Sequence, residues 1–108
     1  MTRRYAIIRG RMLDDPVYGL SPAGTEMVTL HVGVRMPMGF AEPVLVQAGD
    51  VMPAYCRGVR LAQGDMVVAS GWIEPEERTV WPNAMVRTAT MHADMVAAGT
   101  SMDWRDPS

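Results

Sequence analysis

Lysine is absent from this 108-residue chain, and cysteine and phenylalanine occur once each. A lone Cys56 can form no internal disulfide and no multi-thiolate metal site. No apolar run approaches the roughly 20 residues of a membrane-spanning helix. Residues 1–11 do not read as a signal peptide, because Arg9 and Arg11 interrupt Ala6, Ile7 and Ile8 at once; the cytoplasm is the expected compartment. Two histidines in no zinc-like spacing, no phosphate loop, no nucleophile elbow and no dinucleotide fingerprint leave no catalytic constellation, no metal site and no cofactor to expect. The reading is of a non-enzyme.

What is present is a composition of 48% hydrophobic and 20% charged residues, that of one soluble folded domain rather than a disordered chain. Ten basic against twelve acidic residues give a net charge of −2, so any anion binding must be local. All the basic residues are arginines, which are planar and stack. Four of them, Arg3, Arg4, Arg9 and Arg11, fall in the first eleven positions.

Eighteen glycines and prolines punctuate short apolar runs, the pattern of an all-β domain with tight connections. Residues 5–12 alternate weakly. Asp14-Asp15-Pro16 and Ser21-Pro22-Ala23-Gly24 read as turns, the paired aspartates serving backbone hydrogen bonding. Residues 26–35 alternate cleanly, with Val28, Leu30, Val32 and Val34 on one face and Thr29, His31 and Arg35 on the other. Residues 44–48 form a third strand. A helix is expected over 50–63, capped by Asp50, with Val51, Tyr55 and Val59 on one face and Gly64 as terminator. Strands at 66–73 and 86–96 follow, joined by a hairpin loop carrying Pro75 and Pro82. This order suits a five-stranded Greek-key OB-fold barrel with one helix between strands 3 and 4, spanning residues 1–98, with a flexible tail at 99–108.

The residues also carry a family likeness. Ile7-Ile8-Arg9-Gly10-Arg11-Met12-Leu13-Asp14-Asp15-Pro16, followed by Ser21-Pro22-Ala23-Gly24, resembles the opening of bacterial single-stranded DNA-binding proteins. The likeness continues through 27–34, 44–49, Ala54-Tyr55, Gly64-Asp65, 66–73 and His92-Ala93-Asp94-Met95-Val96. The resemblance implies an oligomeric barrel, dimer or tetramer, that holds single-stranded DNA during replication, recombination and repair, with replication or recombination proteins as further partners. It also implies stacking aromatics at positions that here are Glu42, Ala48 and Arg78, a basic hairpin where this chain has Glu74-Pro75-Glu76-Glu77, and an acidic tail that residues 102–108 echo only faintly. An alternative on the same barrel is a protein-interaction or primosome accessory subunit with weak or no DNA binding.

Sequence-tolerant binding of single strands needs cations that follow phosphates and flat rings on which bases stack. Period two puts Arg3, Tyr5, Ile7, Arg9 and Arg11 on one side of the first strand, a stripe for phosphates or for a subunit contact. Trp72 should point outward, since Val67, Ala69, Gly71 and Ile73 share the other parity; it can stack a base or anchor a partner subunit. Trp81 near the hairpin tip is a further stacking candidate. Phe40 either replaces the lost third-strand aromatic or tucks under the barrel. His31, Arg35 and Arg87 complete the candidate nucleic-acid contacts. Tyr55 is assigned to helix packing. Met85, Met91 and Met95 share one strand face as adaptable core filler or as a self-association surface.

Overall fold

The computed structural model describes residues 4–35, 41–80 and 84–99, with side chains for all of these except 35, 41, 42, 75–80 and 84–88. The elements are β1 (Arg4–Met12), β2 (Val17–Leu20), β3 (Glu26–Arg35), β4 (Ala41–Ala48), α1 (Met52–Gly58), β5 (Met66–Val80) and β6 (Ala84–Ala98). Five strands run in the order β1-β5-β6-β4-β3 and close where Arg11 and Met12 of β1 meet Gly33 and Val32 of β3. Only β4 and β6 are parallel among these pairs. The short β2 extends the edge of β3, pairing Val17 with Thr29 through Leu20 with Glu26. The sequence predicts turns on either side of these four residues and no strand between them, whereas the chain here pairs with β3. The helix follows the third barrel strand and precedes the fourth, so the expected OB-fold architecture holds.

Alternation builds the core. Val28, Leu30 and Val32 on β3, Val46 on β4 and Met91 on β6 are fully buried, with Met12 and Val67 beside them. Each apolar face of a twisted strand points into the barrel, and burial of these side chains contributes roughly 1.5–3 kcal/mol apiece. Closure requires a missing side chain. A Cβ at Gly10 would collide with the Gly33 carbonyl and the Val32 side chain, where β1 crosses β3.

The helix is shorter than expected. Asp50 does not cap it: its φ is +57°, and the N-cap is Val51 with no side-chain bond. The helix ends at Gly58, and Arg60 turns the chain with φ +55°, well before Gly64. The chain must double back there to deliver β5 to β1, and Gly64 donates its N–H to the Met12 carbonyl in that turn. Val51 is 62% exposed and leaves the expected face, whereas Tyr55 and Val59 pack partly buried against the core beside the fully buried Pro53 and Cys56. Tyr55 does pack the helix down, its hydroxyl accepting the Ala98 N–H at 2.9 Å.

The last two strands are longer than expected, pairing continuously out to Val80 and Ala84. Pro75 is accommodated because N–H groups at odd positions of β5 face β1, and the last described β1 pair is Arg4 with Ile73. One irregularity interrupts this ladder. Ser70 pairs with Met95 but Gly71 with Ala93, so Asp94 is an extra residue on β6. Met91 is therefore core while Met95, 44% exposed, faces outward, which corrects the expectation that these methionines share a face.

Candidate nucleic-acid interface

On β1 the expected parity holds. Ala6, Ile8, Gly10 and Met12 turn inward, and Tyr5, Ile7, Arg9 and Arg11 stand exposed on the outer surface. Arg11 also serves the fold, donating one guanidinium N–H to the Gly64 carbonyl at 2.7 Å. Four of its five N–H groups remain available to other acceptors.

Trp72 points outward as expected and is 46% exposed. It is the cross-strand neighbour of Tyr5, and the two rings meet edge to face with centroids 5.4 Å apart. The Tyr5 hydroxyl donates to the Asp94 carboxylate at 2.9 Å, and the Ser70 hydroxyl donates to Asp94 Oδ1 at 3.1 Å. The bulge thus presents Asp94 to both. Sequence reasoning missed this cluster, because nothing local links position 5 to position 94.

Register carries the surface further. Tyr5, Trp72, His92, Gln47 and Thr29 are successive cross-strand partners on β1, β5, β6, β4 and β3, one outward row crossing the whole barrel wall. A neighbouring row holds Glu74, Thr90, Leu45 and His31. His31 donates from Nδ1 to Asp14 at 3.0 Å, and its carbonyl accepts the Leu13 N–H. His92 lies 3.7 Å from Glu74. Each histidine therefore has a carboxylate beside it. Of the two turn aspartates, Asp15 bonds backbone, though across the fold at the Gln63 N–H rather than within its own turn, whereas Asp14 is turned to His31.

Arg35 ends β3 opposite Ala41, and Arg87 lies in β6 opposite Glu77; their side chains lie outside the described set. Arg3, Phe40 and Trp81 fall outside the described residues altogether. The structure thus brings Arg9, Arg11, Trp72 and His31 onto the outer wall, together with Tyr5, His92 and Gln47.

A second polar cluster lies away from this wall. Arg57, in the last turn of α1, stacks its guanidinium 4.1 Å from the centre of the Tyr18 ring and grips both carboxylate oxygens of Glu26, the Nη1 bond being 2.7 Å. That bond holds the Glu26 carboxyl below, and the Arg57 guanidinium above, its ordinary range. Burial raises the Tyr18 hydroxyl and the thiol of buried Cys56. Among the described residues no group of three His, Cys, Asp or Glu side chains is placed to hold a metal ion, and no helix is long and apolar enough to cross a membrane.

No protein-family model and no curated protein matches the sequence. Solved structures do. The small single-stranded DNA-binding protein from Streptomyces coelicolor superposes with a TM-score of 0.71 at 16% identity, over 94% of this chain and 99% of that one. The wild-type single-stranded DNA-binding protein from Thermus aquaticus gives 0.64 at 19% identity, over 96% of this chain. The match spans 42% of the Thermus chain, less than half of its length. The closed five-stranded barrel, its helix between the third and fourth barrel strands, and these superpositions show one fold: the OB-fold in the form seen in bacterial single-stranded DNA-binding proteins.

Proposed function

We propose that this chain belongs to the bacterial single-stranded DNA-binding family and holds unpaired DNA by sequestration, without catalysis or cofactor. The observation that carries this reading is an outward wall on that barrel combining the Tyr5–Trp72 ring pair with Arg9 and Arg11. Rings accept bases of any sequence and guanidinium groups accept phosphates, which are the two requirements of sequence-tolerant binding. Arg3, His31, Arg35, Phe40, Trp81 and Arg87 extend the proposed contact set. Replication, recombination and repair in the cytoplasm are the proposed settings, with a homo-oligomer as the working form. Exposed Ile7, at 72%, and Met95 on the same wall support self-association.

Titration with an oligothymidine at several salt concentrations tests the reading. Tryptophan fluorescence is quenched, and log affinity falls with log salt by about 0.7 for each phosphate contacted. No quenching in dilute buffer, or a flat salt response, overturns it. A second reading, a protein-interaction or primosome accessory subunit, is favoured by the carboxylates of Asp14, Glu74 and Asp94 on that same wall. In that case DNA is ignored, and replication or recombination proteins are retained by the immobilised chain after nuclease treatment.

A further inference from the structure

The bulge on β6 turns two consecutive side chains outward, Asp94 and the 44% exposed Met95, where regular alternation would show only one. It sets the Asp94 carboxylate at the hydroxyl end of the Tyr5 ring, with Oδ1 and Oδ2 at 3.0 and 2.9 Å from that hydroxyl. Oδ1 also accepts the Ser70 hydroxyl, which is only 6% exposed and is satisfied by this bond. The carboxylate is thus held from two sides beside a stacking ring.

These contacts do not saturate it. Each hydroxyl has one proton to give, whereas a carboxylate offers about four acceptor positions over its two oxygens and no donor. About two positions are left, and they open on solvent because Asp94 is exposed. Tyr5 itself is 49% exposed, and Trp72 steadies its ring edge to face. A base laid on the open part of Tyr5 carries its polar edge past the hydroxyl and over the carboxylate. Stacking is indifferent to the identity of that base, but an acceptor-only group at its edge is not.

Resting on the nucleic-acid reading above, we infer that Asp94 selects the base stacked on Tyr5, making this corner of the wall a guanine subsite with cytosine and adenine next and thymine last. Guanine presents two adjacent donors, N1–H and the N2 amine, which match two carboxylate oxygens as a bidentate pair. Cytosine and adenine present one amine beside a ring-nitrogen acceptor. Thymine presents N3–H between two carbonyl oxygens, both of which the carboxylate repels. With thymine the negative group therefore meets a polyanion for at most one hydrogen bond, and with guanine it makes two.

Fluorescence anisotropy of end-labelled single strands of one length tests this. Oligothymidine is compared with strands carrying guanine, inosine or cytosine at every third position, in lithium buffer so that the guanines stay unpaired. The guanine strand binds about fivefold or more tighter than oligothymidine, the low end for a bidentate base contact because the site is exposed. Inosine, which keeps N1–H and lacks the amine, falls between them, as does cytosine. Asp94→Asn keeps the shape but replaces one acceptor oxygen by a donor; it binds oligothymidine at least as tightly as the unaltered chain and brings the guanine-to-thymine ratio close to one. A role confined to holding Tyr5 and Ser70 would instead weaken every strand alike. Equal affinities of the unaltered chain for the guanine and thymine strands, inosine equal to guanine, or an unchanged ratio in Asp94→Asn overturns the guanine subsite and leaves the nucleic-acid reading in place. Absence of binding to every strand removes the nucleic-acid reading, and the subsite with it.

Discussion

Arg57 ties α1 to the β2–β3 hairpin by stacking on Tyr18 while gripping Glu26, the residue opposite Leu20 in the hairpin register. The bond lowers the Glu26 pKa in the folded state, so its stabilisation is complete above the ordinary glutamate range and is lost as pH falls through the depressed value. Glu26→Gln should lower Tm by a few degrees at most at neutral pH, since the pair is solvent-screened, and should shrink the difference between melts at pH 7 and pH 3. A Glu26→Gln melt with an unchanged acid limb would remove this contribution. On the outer wall the residue-scale expectations differ in kind. Trp72→Ala removes a stacking ring worth about 1–3 kcal/mol and should weaken oligothymidine binding roughly tenfold or more. Arg9→Ala should instead reduce the slope of log affinity against log salt by about 0.7, the signature of one lost phosphate contact. Equal salt slopes for Arg9→Ala and the unaltered chain would exclude Arg9 from the phosphate track.

At the scale of elements, the bulge between β5 and β6 is the most constrained joint. A Cβ on Gly71 would run into the His92 carbonyl and the Ala93 backbone. Gly71→Ala should therefore destabilise by about 1–3 kcal/mol, read as a lowered thermal midpoint by circular dichroism, and should displace Asp94 from Tyr5. What was legible in the sequence follows from how local each determinant is. Residues 26–35 read correctly as β3 because strict alternation of Val28, Leu30 and Val32 against Thr29 and His31 is a property of neighbours. The outward parity of Arg9, Arg11 and Trp72 is equally local. Helix α1 was overextended because Asp50 and Gly64 carry good cap chemistry, yet the connection to β5 forces Arg60 rather than Gly64 to end it. Proline at 75 hid the length of β5, since the sequence cannot say on which edge the missing N–H will lie. The Tyr5–Trp72–Asp94 cluster depends on register across three strands and on one extra residue, neither visible before the sheet is assembled.

At the scale of the whole molecule, a net charge of −2 means that long-range attraction to a polyanion is weak, and affinity must come from contacts on one wall. That same wall exposes Ile7, Tyr5, Trp72 and Met95, so the surface proposed to meet DNA is also the one proposed for association of the chain with itself. The two demands are compatible if assembly covers Ile7 at the seam and leaves the rings flanking it within reach of a strand. Thermodynamic linkage then fixes a signature that needs no DNA. When folded chains associate and unfolded ones do not, dilution favours unfolding, and the midpoint rises with protein concentration. The unaltered chain should melt at higher temperature as its concentration is raised a hundredfold, whereas Ile7→Lys should melt at one temperature throughout. Because Ile7 faces outward, the lysine variant keeps its core and its circular dichroism spectrum. A concentration-independent midpoint in the unaltered chain would mean that it folds alone and would remove the proposed homo-oligomer.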